Sequence, residues 1–227
     1  MPARGLFITG TDTGAGKTFV TAAIAAALAA AGEAVVVRKP LLTGMAETPT
    51  PQAPHDHQVL AAATGASPNE IAPLRFDPAV SPHLAAEKAG VELDVEGIAE
   101  ATLSAAGEDE VLLVEGVGGL LVPISRTTSV ADLAVALDLP VVIAARPGLG
   151  TISHCRLTVE ALQQRNLEVR GIVMGPWPTA PDMIEEDNLL TVAETTGVPV
   201  VTIPRVDEIT REAFEAAGSG IPASDWL

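Results

Sequence analysis

The residues with the clearest chemical purpose lie near the start of the chain, in the run Gly10-Thr11-Asp12-Thr13-Gly14-Ala15-Gly16-Lys17-Thr18. An apolar stretch, Leu6-Phe7-Ile8, precedes them and an alanine-rich stretch of helical character follows. That order predicts a strand, a glycine-rich turn and a helix. Such a turn aims backbone N–H groups and the positive end of a helix dipole at one point, which suits a phosphate. Lys17 would reach the outer phosphates of a nucleoside triphosphate, and the Thr18 hydroxyl would hold Mg²⁺. The spacing is offset from the common phosphate-loop pattern: Thr11 stands where the first glycine is usual, and Gly10 is one residue earlier. The plain alternative is a glycine-rich helix cap beside a chance lysine. The succession of strand, Gly-Lys-Thr and helix favours the phosphate loop.

Other polar residues stand just after apolar runs, where open α/β sheets bind ligands. Lys39 begins Lys39-Pro40-Leu41-Leu42-Thr43-Gly44 at the end of a second predicted strand. If the first two strands are neighbours, it adds positive charge beside the phosphate loop; otherwise it is a solvated strand-end lysine. Glu115 closes the run Val111–Val114 and opens Glu115-Gly116-Val117-Gly118-Gly119. An acid there is the usual second anchor for Mg²⁺ in a phosphate-loop protein, with an acid capping a tight turn as the plainer reading. Asp56, between His55 and His57, falls at a predicted helix start. It suits either a helix cap or an oxygen ligand for Mg²⁺. His-Asp-His is a poor transition-metal site, because adjacent residues do not share a helix face. His154 and Cys155 are likewise adjacent, so Cys155 reads as core and not as half of a dyad. The turn Gly148-Leu149-Gly150-Thr151 exposes another helix N-terminus, suited to a second anion such as a substrate carboxylate.

Positioning these groups requires an alternating α/β chain. Strand-length apolar runs occupy 6–9, 34–38, 111–114, 141–144, 171–174 and 200–203. Most are continuous in Val, Ile and Leu, which marks strands covered on both faces. Helical patterns fall at 16–31, 57–64, 95–106, 129–137, 152–165, 182–196 and 207–216. The predicted fold is therefore three-layer α/β, a mainly parallel sheet between helices in one domain spanning 1–227, of the phosphate-loop NTPase type. The Pro/Thr-rich segment 44–55 reads as a mobile loop, and 218–227 as a loop-like, poorly ordered tail.

Bulk composition narrows the classes. Of 227 residues, 48% are hydrophobic and 19% charged, enough for a packed core. Aromatics are only 3%, so that core must be aliphatic. A net charge of −16 argues against nucleic acid or anionic membrane partners, which need basic patches. A lone cysteine excludes an internal disulfide and fits a reducing compartment. No secretion-type segment precedes the first strand, so a soluble, cytoplasmic protein is expected.

Taken together, these blocks resemble the dethiobiotin synthetase family. Gly10–Thr18 matches its Gly-Thr-Asp-Thr-x-x-Gly-Lys-Thr loop, and Lys39–Gly44 its Lys-Pro-x-x-(Thr/Ser)-Gly motif. Ser81-Pro82-His83, Val114–Leu120 and Gly150–His154 are similar to three further family motifs, in the family's order. The resemblance implies closure of a cyclic urea from 7,8-diaminononanoate, CO₂ and ATP with Mg²⁺, by a homodimer. It implies Lys17 and Lys39 as catalytic residues, and Thr18, Asp56 and Glu115 as metal ligands. Nucleotide contacts would come from Gly14, Ala15, Gly16, Lys17, Thr18, Phe19, Asp56, Glu115, Gly116, Val117, Gly118, Gly175, Pro176, Pro204, Arg205 and Val206. Substrate contacts would come from Thr13, Lys39, Thr43, Gly150, Thr151 and Ser153, the last three serving the partner subunit's site. Ser153 replaces the family's usual Asn, and its hydroxyl can still bind a carboxylate. Gly175 stands where many members use an Asn amide to read adenine, which implies relaxed base selectivity. Pro204-Arg205-Val206 keeps only the proline of the family's late nucleotide-contacting segment.

Other classes fit less well. A partitioning-type ATPase switch of the same superfamily carries an extra lysine where this chain has Asp12. An amidotransferase of the cobyrinic acid class needs a glutaminase domain that 227 residues do not accommodate. A nucleotide-binding module without catalysis has no use for Lys39.

Overall fold

The computed structural model describes residues 3–50 and 54–227. Six strands form one parallel sheet: β1 (Gly5–Gly10), β2 (Ala34–Arg38), β5 (Glu110–Glu115), β6 (Val141–Ala145), β7 (Val169–Trp177) and β8 (Val200–Pro204). Their order is β2-β5-β1-β6-β7-β8, every neighbouring pair being parallel. Alternate residues of each strand serve opposite faces. Leu6, Ile8 and Leu113 join a core with the helix α1 (Lys17–Ala30), α2 (Asp56–Thr64) and α9 (Arg211–Gly218). Phe7, Leu112 and Val114 join a second core with α5 (Val95–Leu103), α6 (Val130–Leu137) and α7 (Thr151–Gln163). Both faces are therefore covered, as the continuous apolar runs required.

Two short strands, β3 (Leu41–Thr43) and β4 (Leu74–Phe76), form a separate parallel pair beside the phosphate-loop end of the sheet. They lie with the short helices α3 (Pro68–Ile71) and α4 (Pro82–Ala89). None of these four is foreseen by periodicity, because segments this short show neither period reliably. The pair holds the start of the 44–55 segment in place. Gly44, Met45 and Ala46 donate backbone hydrogen bonds to Pro78, Phe76 and Asp77 at 3.0–3.1 Å. The expected mobility of 44–55 thus does not apply to its first residues, and 51–53 lie outside the described residues.

The tail also differs from expectation. Residues Ala223–Trp226 form a 3₁₀ turn, and Trp226 is buried, as are Ile221 and Ala223. The indole lies flat against β7, where a Cβ on Gly171 would fall 2.4 Å from Trp226 Cζ2. Only glycine admits the ring there. A loop-rich composition hid this contact because it joins residues far apart in sequence. No helix among the described residues is long and apolar enough to cross a membrane.

Candidate active site

The site is built at the carboxyl ends of β1, β2 and β5. After β1 the chain turns through Gly14 (φ 75°) and Gly16 (φ 91°), left-handed conformations that disfavour any side chain. Gly16 caps α1, so its first residues, Lys17 and Thr18, stand at the helix N-terminus. Both are buried. Lys17 Nζ donates to the Asp12 carbonyl at 3.1 Å, curling back along the loop. Ala15 is buried within the same turn.

Sequence placed Lys39 beside the phosphate loop if β1 and β2 were neighbours; they are not. β5 lies between them, so Lys39 reaches the loop across the end of β5. Its backbone N–H donates to the Ile71 carbonyl at 2.7 Å, and its side chain is 2% exposed. The ammonium lies 2.7 Å from Asp56 Oδ2 and 2.5 Å from Glu115 Oε1. The same Glu115 oxygen accepts from the Thr18 hydroxyl at 2.8 Å. Thr18, Lys39, Asp56 and Glu115, 97 residues apart at the extremes, thus converge on one point.

Electrostatics follow from that cluster. Burial alone would lower the Lys39 pKa, but Glu115 and Asp56 outweigh it and hold the ammonium charged well above the ordinary lysine range. Burial, then the charge of Lys39, pushes Lys17 the other way, below the ordinary value. Burial would raise Asp56, but Lys39 overcomes it and keeps this carboxyl below the usual range. Asp56 is the first residue of α2, whose cap is His55; the carboxylate serves Lys39 instead of the helix end.

A divalent cation fits this donor set. Glu115 Oε2 is buried with no hydrogen-bond partner, and a carboxylate oxygen in that state asks for a positive ligand. With Asp56 and the Thr18 hydroxyl it supplies the few hard oxygens that Mg²⁺ takes alongside phosphates and water.

A cavity of about 700 Å³ opens on the cluster, walled by Thr13, Gly14, Gly16, Lys17, Thr18, Phe19, Lys39, Thr43, Asp56, Val117 and Gly118 among others. Gly116 is not in its wall; the glycine lets β5 pass Phe7, whose Cζ would lie 3.0 Å from a Cβ there. A second cavity of about 290 Å³ shares Gly16 and Phe19 with the first and is lined by Gly175, Pro176, Pro204, Arg205 and Val206. The structure therefore brings most of the predicted nucleotide contacts together around two neighbouring hollows. Gly175 itself is crowded: a Cβ would sit 2.3 Å from Ile203 Cγ2 and 2.8 Å from the Ile203 carbonyl. That packing excludes an Asn side chain and accounts for the glycine.

Gly150, Thr151 and Ser153 do not line either cavity. They form the start of α7, where Gly150 (φ 95°) caps the helix and Ser153 faces out. Cys155 is fully buried, as expected of a core residue. Sequence reasoning passed over Ser81, whose motif was noticed but given no role. It lines the main cavity, and its hydroxyl is 2.9 Å from His83 Nδ1. It also missed Asn188, a buried amide on α8 (Met183–Thr196) that no motif flags.

Comparison with known proteins places the chain in a family. A family model described as an AAA domain matches residues 4–213. An ATP-dependent dethiobiotin synthetase of an Anaeromyxobacter species is 42% identical over 93% of this chain and 95% of its own. One from Streptomyces coelicolor is 41% identical over 98% and 91%. Among solved structures, the MinC:MinD cell division complex of Aquifex aeolicus aligns with a TM-score of 0.54 at 18% identity, covering 99% of this chain and 92% of that one. A ParA-family ATPase of Chlorobium tepidum gives 0.51 at 14%, covering 97% and 91%. Those two likenesses establish the phosphate-loop fold alone, whereas the sequence relatives reach further. By its phosphate loop, its buried Lys39 cluster and its identity to these enzymes over nearly its whole length, the chain belongs to the ATP-dependent dethiobiotin synthetases, a family of ligases.

Proposed function

We propose that this chain, as one phosphate-loop domain, joins CO₂ to 7,8-diaminononanoate and closes the cyclic urea of dethiobiotin at the expense of ATP. The observation that carries this is the convergence of Lys39, Asp56, Glu115 and Thr18 beside the phosphate loop, in a cavity large enough for a second substrate. A triphosphate seats its phosphates on Gly14–Thr18 and its base against Gly175, Pro176, Pro204, Arg205 and Val206. The diamine lies along Thr13 and Thr43.

One amine adds to CO₂ and loses a proton, giving a carbamate. A carbamate oxygen attacks the γ-phosphorus, the bond to the bridging oxygen breaks, and ADP leaves. The second amine attacks the carbonyl carbon of the mixed anhydride and expels phosphate, closing the ring. Two anions must meet for this. Lys17 and Lys39 offset their repulsion and orient the attack, which is most of what such a transfer needs. Mg²⁺ on Thr18, Asp56 and Glu115, when bound, neutralises charge on the phosphate oxygens. Because Lys39 is shared with Asp56 and Glu115 in this structure, it must turn from those carboxylates towards the carbamate as the substrates assemble.

The chain acts as a homodimer in the cytoplasm. Gly150, Thr151 and Ser153 lie outside their own subunit's cavity, and Leu149, Leu157 and Leu121 around them are 90%, 62% and 60% exposed. A second copy covering those leucines brings the α7 N-terminus to the partner's substrate carboxylate. Phosphate release, measured with and without the diamine and bicarbonate, tests the reaction. It should require both; release indifferent to the diamine refutes the proposal.

A further inference from the structure

We infer that Asn188 is a positioning residue for the substrate carboxylate, holding in place the turn from which α7 starts. The inference rests on the proposal that Gly150, Thr151 and Ser153 receive that carboxylate. The turn between β6 and α7 is Arg146-Pro147-Gly148-Leu149-Gly150, whose charged side chain, Arg146, makes a long, half-exposed pair with Asp12 at 3.8 Å. Among the described residues, the backbone bonds of this turn outside the regular elements run from Thr151 N–H to the Gly148 carbonyl at 3.3 Å and from His154 N–H to the Gly150 carbonyl at 3.2 Å. Neither ties the turn to the rest of the molecule.

Asn188 does. Its side-chain amide donates to the Pro147 carbonyl at 2.7 Å and to the Gly148 carbonyl at 3.2 Å, across some 40 positions of sequence. The residue is 4% exposed and sits on α8, which packs beside α7. A buried amide that spends both N–H donors on consecutive carbonyls of one turn fixes where that turn stands. The first N–H groups of α7 point from the end of this turn, and an anion is held there only while they converge. Loss of the amide therefore frees the angle at which α7 meets the carboxylate. The phosphate loop meets this turn through the half-exposed Arg146–Asp12 pair at 3.8 Å, too weak a link to carry the change to Lys17 or Lys39.

The test compares wild type with Asn188→Ala on two substrates, the diamine acid and octane-2,3-diamine, which lacks the carboxylate. Affinity for a fluorescent ATP analogue is measured alongside. The expected result is a KM for the diamine acid raised roughly tenfold, as for two lost hydrogen bonds. The kcat should stay within about twofold, a uniform binding loss. Nucleotide affinity and the KM for octane-2,3-diamine should not change. A general structural defect moves both diamines or the nucleotide, and either result overturns the assignment, as does an unchanged KM for the acid. A wild-type enzyme that treats both diamines alike refutes the carboxylate site itself and, with it, the role of Asn188. If Asn188→Ala does not fold, Asn188→Leu keeps the volume without the donors or an added charge and is judged by the same readouts.

Discussion

Replacing Lys39 by Met removes the only ammonium that touches Asp56 and Glu115 among the described residues, while keeping most of the stem's volume. Catalysis should be lost, and stability should fall as well. The Glu115 side chain has 0% exposure, and one of its oxygens already lacks a partner. Without Lys39 its charge is left in the interior beside Asp56, with only the Thr18 hydroxyl donating to it. Breaking a buried pair by deleting one member costs about 3–5 kcal/mol. For a chain of 227 residues, each kcal/mol moves Tm by about 2–4 °C, so the drop should be roughly 6–20 °C. The assay is thermal and urea unfolding of Lys39→Met and wild type, each with and without Mg²⁺ and an ATP analogue. Mg²⁺ restores positive charge at Glu115, so the cation with its nucleotide should stabilise the variant more than the wild type. A loss below about 1 kcal/mol, the value of a surface pair, refutes the reasoning, because Glu115 would then not depend on Lys39.

Nucleotide affinity should weaken as pH rises towards the ordinary lysine value of 10.5, because Lys17 loses its proton below that value in the free protein; titration with a fluorescent triphosphate analogue checks this. Asp56 is the stronger acid when folded, so its stabilising share is present above the ordinary value of 3.8 and is lost as pH falls below it, visible in acid unfolding of wild type against Asp56→Asn. ATP, CTP and GTP should support comparable steady-state rates, since Gly175 offers no side chain to the base; a strong preference for ATP contradicts this. Gly175→Asn should not restore adenine selectivity, and it should destabilise the fold by clashing with Ile203. Trp226→Ala should cost about 3–5 kcal/mol in urea unfolding, with kcat unchanged, because the ring is buried and lines neither cavity.

The strands of the main sheet were legible because each is a continuous aliphatic run, the mark of a strand covered on both sides. Their spatial order was not. Nothing local in Lys39-Pro40 says that β5 intervenes before β1, and that order decides that Lys39 meets Glu115 on its way to the loop. β3 and β4 escaped because three residues carry no period. Trp226 escaped because its partner, Gly171, is distant in sequence and shows itself only by lacking a side chain. The phosphate loop, Lys39, Asp56 and Glu115 could be named from motifs, since chemistry fixes their residue types. Asn188 could not, because its partners are backbone carbonyls, which any sequence supplies.

The central claim is that a carbamate oxygen, not water, attacks the γ-phosphate. Freshly dissolved, ¹⁸O-labelled CO₂ supplied with the diamine and ATP tests it directly, with ³¹P NMR of the released phosphate as the readout. If the carbamate attacks, the oxygen that bonded to phosphorus leaves with it when the ring closes. Each phosphate should then carry one labelled oxygen, and ADP none. Unlabelled phosphate, formed while the ring still closes, contradicts the mechanism and the placing of Lys39 between the two anions.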